Sequence, residues 1–80
     1  MNIYVGNLSP KTSEYQLRKA FERFGKVEKI SMNERPRNDS YSFCFIGMPF
    51  DNQASRAIKE LNGKELSGYE LTIRESAVSI

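Results

Sequence analysis

Eighty residues make one small domain, and 12 lysines and arginines against 10 aspartates and glutamates leave a net charge of +2, too weak for charge alone to argue a nucleic-acid partner. A hydrophobic content of 39% with 28% charged residues supports a packed core and argues against disorder. A single cysteine, Cys44, and no histidine exclude an intramolecular disulfide and a multi-cysteine metal site, and no stretch approaches the roughly 20 apolar residues of a membrane span.

Strand-like alternation begins at Asn2, so no signal peptide is expected, and the chain reads as a soluble, cytoplasmic domain. Ile3-Tyr4-Val5 alternates as a short strand, broken by the turn residues Gly6-Asn7-Leu8-Ser9-Pro10. Ser13 is a helix N-cap, and Gln16 three residues later completes a capping box. Leu17, Ala20, Phe21 and Phe24 then recur on one helical face, with Gly25 placed to end the helix, which predicts a helix over 13–24.

Val27 to Met32 reads as a second strand, in which Val27 faces the core only if the strand starts irregularly. A polar connector, Asn33 to Asp39, carries Arg35 and Arg37. Tyr41 to Met48 forms a third strand, closed by Gly47 and Pro49. Asp51 or Asn52 is placed to cap a second helix running to about Leu61, with Ala54, Ala57, Ile58 and Leu61 as its apolar stripe and Asn62-Gly63 as its stop. Leu66 and Gly68 fall in a connector, Tyr69 to Glu75 is a last strand, and the tail over 77–80 has no pattern.

The order strand, helix, strand, strand, helix, strand predicts an α+β, ferredoxin-like βαββαβ domain over 1–76. Four antiparallel strands form one sheet, and both helices lie on a single face. Period two then sends Ile3, Val5, Ile30, Cys44, Ile46, Leu71 and Ile73 toward the helices, and Tyr4, Ser31, Tyr41, Phe43, Phe45, Thr72 and Arg74 toward the open face.

That open face is the anomaly. A half-buried strand alternates apolar with polar residues, yet the third strand alternates aliphatic with aromatic. Contiguous exposed apolar surface marks a binding site. Nucleobases suit an aromatic platform, because stacking is worth about 1–3 kcal/mol per base and accepts any base. Phosphates would then lie near the rim, within reach of Lys29, Arg35, Arg37 and Arg74.

These residues resemble the RNA-recognition motif family. Its longer signature, basic-Gly-aromatic-small-aromatic-aliphatic-any-aromatic, is similar to Tyr41-Ser42-Phe43-Cys44-Phe45-Ile46-Gly47-Met48, and its shorter signature to Ile3-Tyr4-Val5-Gly6-Asn7-Leu8. The resemblance spans about residues 2–76 and is nearest to the small stand-alone bacterial members. It implies that Tyr4 and Phe45 stack on bases, that Phe43 packs against a sugar or between nucleotides, and that Arg74 and Thr72 reach bases or phosphates. Asn7 would tie the loop after the first strand. Tyr41 departs from the pattern, replacing a basic residue and its phosphate contact, so a weaker affinity than that of a strongly basic member is expected. Ser42 replaces a glycine, and Met48 replaces an aromatic residue and stays in the core.

The function expected is binding of single-stranded RNA, with single-stranded DNA as a further ligand, by a monomer. A protein–protein interaction module on the same scaffold is the alternative. Nothing in the chain suggests an enzyme, a metal or a cofactor: it has no histidine, no ligand cluster, no phosphate-binding glycine loop and no nucleophile–base pairing. Cys44, facing inward with no second thiol, reads as a small core residue.

Overall fold

In a computed structural model that describes residues 1–33 and 42–77, the alternating stretches pair into one antiparallel sheet. Its strands are β1 (Asn2–Leu8), β2 (Lys29–Asn33), β3 (Ser42–Gly47) and β6 (Thr72–Ser76), in the order β2-β3-β1-β6. Two helices, α1 (Glu14–Glu22) and α2 (Asp51–Leu61), cover one face. A small separate hairpin, β4 (Glu65–Leu66) and β5 (Tyr69–Glu70), precedes the last strand. This is the ferredoxin-like βαββαβ arrangement with the hairpin added.

The core lies between the sheet and the helices, and its residues are the ones period two sends inward. Ile3, Val5, Cys44, Ile46, Leu71 and Ile73 are buried together with Leu17 and Phe21 of α1 and Ala54 and Ala57 of α2. Ile30 is half-buried against this cluster. Val27 lies ahead of β2 and is buried, while the Glu28 amide donates to the Gly47 carbonyl at 2.8 Å, which is the irregular start that its burial requires. Met48 follows β3 and is buried too.

Helix α1 starts as its sequence dictates. The Ser13 hydroxyl accepts from the Gln16 amide at 3.2 Å, and the Ser13 amide donates to Gln16 Oε1 at 2.9 Å, so two otherwise unpaired donors are satisfied. On its outer side Arg18 is more than a solvated charge. It lies 3.9 Å from Glu14 and 3.8 Å from Glu22, and it donates to the Val27 carbonyl at 3.4 Å, tying the helix to the chain that follows it.

Two expectations need correction at α2 and β6. Helix α2 is capped by neither Asp51 nor Asn52: Phe50 occupies the N-cap without a side-chain hydrogen bond, and Asp51 is the first helical residue. Its carboxylate lies 3.6 Å from the Met1 amino group and remains favourably placed toward the positive end of the helix dipole. The last strand is not continuous from Tyr69. Ser67 and Gly68, at φ 55° and 85°, form the turn of the β4–β5 hairpin, because successive positive φ values match the twist of a two-residue hairpin. Leu71 then leaves the ladder, its amide donating to the Lys64 carbonyl at 2.8 Å, and β6 begins at Thr72.

Burial pushes the Cys44 thiol up to about 12, with the Glu14 carboxylate adding to the effect. A thiol whose folded value lies above its unfolded value keeps its contribution to stability below the unfolded value and loses it as pH rises toward the folded one. Urea midpoints of the wild-type protein should therefore fall more steeply than those of Cys44→Ala as pH rises from about 9 toward 12. Equal slopes in the two proteins would show that Cys44 does not titrate between the two states.

Candidate nucleic-acid interface

The first strand does not stop at Gly6. It runs through Asn7 to Leu8, and the turn-forming residues appear instead as a register shift against β3 between Val5 and Leu8. Asn7 takes φ 61° there, a left-handed conformation that asparagine tolerates better than most residues. Its side-chain amide donates to the Glu70 carbonyl at 2.7 Å, joining β1 to the hairpin.

Pairing then builds a row across the uncovered face. Ser31 opposes Phe45, Phe45 opposes Tyr4, and Tyr4 opposes Arg74. In the next row Asn33 opposes Phe43, and Gly6 opposes Thr72. The Tyr4, Phe43 and Phe45 rings form a triangle with centroids 5.9–6.0 Å apart. Phe43 and Phe45 meet edge to face at 89°, whereas Tyr4 and Phe43 are tilted by 32°. Each ring is half-buried, shielded by its neighbours and by the sheet. Such contacts are worth about 0.5–1.5 kcal/mol per pair beyond area burial, enough to hold the three rings against one another.

Gly6 sets the attitude of Tyr4. A Cβ at position 6 would meet the Tyr4 hydroxyl and two of its ring carbons, the latter at 2.8 Å, so the hydroxyl end of the ring rests on the bare glycine. Sequence reading treated Gly6 only as a turn former and so missed its part in the site. The available signal was period two, which puts Gly6 on the same face as Tyr4. Gly6→Ala should swing the ring off the strand at little cost in stability, because a side-chain end is what must move. Binding at Tyr4 should weaken by about 1 kcal/mol or more, and nuclear Overhauser contacts between Tyr4 and residue 6 should be rearranged. Unchanged contacts and affinity would contradict this role.

Arg74 and Thr72 are exposed on β6 beside this triangle, and the Arg74 guanidinium carbon lies over the Tyr4 ring, 4.5 Å from its centroid. Tyr4, Asn7, Thr72 and Arg74 line one shallow depression. Lys29 is on the same face but at the outer strand β2, opposite Gly47, one row beyond Ser31 and Phe45. Tyr41, Arg35 and Arg37 lie outside the described residues. Among the described residues, no group of three or more acidic, cysteine or histidine side chains is placed to hold a metal ion. No described helix is long and apolar enough to cross a membrane.

Comparison with known proteins agrees with this fold. The family pattern described as RNA recognition motif matches residues 3–72. The chain is 35% identical over 77 residues to RbpD of Nostoc sp., a protein named for RNA binding, covering 95% of this chain and 82% of that one. It is 36% identical over 72 residues to the mitochondrial glycine-rich RNA-binding protein 4 of Arabidopsis thaliana, covering 89% of this chain and 53% of the relative. The crystal structure of RNA binding protein PG1 superposes with a TM-score of 0.86 at 34% identity, over 100% of this chain and 98% of that one. The matched residues include Tyr4, Phe43, Phe45 and, apart from Asn2, the βαββα frame that holds them, and on that match the chain belongs to the RNA recognition motif family.

Proposed function

We propose that this domain binds single-stranded RNA by stacking about two or three nucleotides on the open sheet face, acting as a monomeric binding module without catalytic activity. The observation that carries the reading is the triangle of Tyr4, Phe43 and Phe45, with centroids 5.9–6.0 Å apart on a face that neither helix covers. The names of the relatives, RNA-binding proteins in cyanobacterium and plant, support it. Tyr4 and Phe45 take bases, Phe43 takes a sugar or the space between two nucleotides, and Thr72 and Arg74 reach bases or phosphates. Lys29, Arg35 and Arg37 add positive charge toward the phosphate path, and Tyr41 offers a ring or a hydroxyl where a basic residue is usual.

Titration with a short single-stranded RNA of random sequence tests this. Of the four tyrosines, Tyr4 lies within the ring triangle, so tyrosine emission should be quenched, and the affinity should fall as salt rises. No quenching and no binding at micromolar protein in low salt would overturn the reading. A parallel titration with DNA of the same sequence measures any contribution of the 2′-hydroxyl.

A second reading, docking of a protein, draws support from one feature on the helical side. A groove between the ends of α1 and α2 and strand β4 is lined by Ala20, Phe24, Leu61, Leu66 and Leu71 together with the charged residues Arg23, Glu60, Lys64 and Glu65. The two acidic and two basic side chains there balance, so docking of a protein would lack the steep loss of affinity with salt that phosphate binding shows, and salt dependence separates the two readings.

A further inference from the structure

The Arg74 guanidinium sits where a base would have to go. It lies over the Tyr4 ring at 4.5 Å, while the hydroxyl end of the same ring rests on Gly6. A base can stack on the outward side of Tyr4 only by moving Arg74 away from it. Arg74 is exposed, so its long side chain can lift at small cost. A guanidinium is planar and stacks on π faces as readily as it pairs with anions. Lifting by one base thickness leaves that plane against the far side of the base.

We propose that Tyr4 and Arg74 form a closed slot, which one nucleobase opens by entering between them. This rests on the RNA-binding reading and names the occupant of one part of that site. In the free protein the two groups shield each other. In the complex the gap widens from 4.5 Å to about 7 Å, two van der Waals spacings, with Tyr4 on one side of the base and the guanidinium on the other. The exchange keeps a π face under the cation throughout. Arg74 is thus a stacking residue and not simply a source of charge for a phosphate.

Affinities for a short labelled RNA of random sequence, measured for wild type, Arg74→Lys and Arg74→Gln, separate the two roles. The slot predicts that both variants weaken binding roughly tenfold, and that lysine is no better than glutamine by more than about twofold, because neither offers a planar cation. Wild-type affinity in Arg74→Lys would reduce Arg74 to a point charge and overturn the slot, as would wild-type affinity in Arg74→Gln. Both results leave the RNA-binding reading standing, whereas a wild type that binds no RNA removes that reading and the slot with it. Proton resonances of the Arg74 side chain give an independent readout. Ring current from Tyr4 should shift them upfield in the free protein, Tyr4→Ala should abolish the shift, and the base should maintain it in the complex. Return to unshifted positions on binding RNA would mean that Arg74 has left the stack, contrary to the slot.

Discussion

Phe45→Ala is expected to weaken binding of a short single-stranded RNA by about 1–3 kcal/mol, the value of one base–aromatic stack, while the domain stays folded. Phe45 stands in the middle of the cross-sheet row, opposite both Ser31 and Tyr4, and its ring is within 5.9 Å of both other rings. Removing it takes away one platform and the edge-to-face support of the other two. The row also predicts coupling. Tyr4→Ala should cost a similar amount, and the double variant should lose less than the sum, because each ring holds the other in place. Equilibrium titrations of the two single variants and the double variant, with circular dichroism as the check on folding, measure all three quantities. Strict additivity would show that the rings bind independently.

A phenylalanine on the opposite side of the sheet should behave in the opposite way. Phe21 of α1 is fully buried and is, among the described residues, the largest of the completely enclosed side chains. Phe21→Ala should cost about 3–5 kcal/mol of stability. An 80-residue domain has a total of about 4–12 kcal/mol at roughly 0.05–0.15 kcal/mol per residue, so the variant should lose from about a quarter to all of its stability. The urea midpoint should drop sharply, and whatever fraction remains folded should bind RNA with unchanged intrinsic affinity. A small shift in midpoint would mean that the helix and sheet can collapse around the gap. The two phenylalanines differ in sheet face, and under the proposed function that difference gives one a part in binding and the other a part in folding.

Much of this was legible in the residues, because alternation and helical spacing are local signals. Ser13 and Gln16 announced their capping box, and Leu17 and Phe21 their buried stripe. Tyr4, Phe43 and Phe45 were placed on one face by period two, and the sheet order supplied what that rule lacks, namely that β1 and β3 are neighbours. What escaped reading depends on pairing between distant segments. Gly6-Asn7 looks like the end of a strand and is a bulge within one, since the carbonyl that Asn7 holds belongs to Glu70, 63 residues away. Ser67-Gly68 is a recognisable turn dipeptide, but only a hairpin too short to alternate surrounds it. The cap of α2 was misread for a different reason. Asp51 and Asn52 are both good caps, but the chain turns into the helix one residue earlier, at Phe50, where nothing in the side chain signals it. Arg74 was expected to reach bases or phosphates; its position over Tyr4 follows from the cross-strand register, which single-sequence reading cannot fix.

Chemical-shift mapping of the labelled domain with a short single-stranded RNA tests the account most directly. The predicted result is a set of large shifts at Tyr4, Gly6, Phe43, Phe45, Thr72 and Arg74, with Leu17, Ala54 and Ala57 on the helical side unmoved. Shifts confined to Ala20, Phe24, Leu61 and Leu66, with the ring triangle silent, would contradict it.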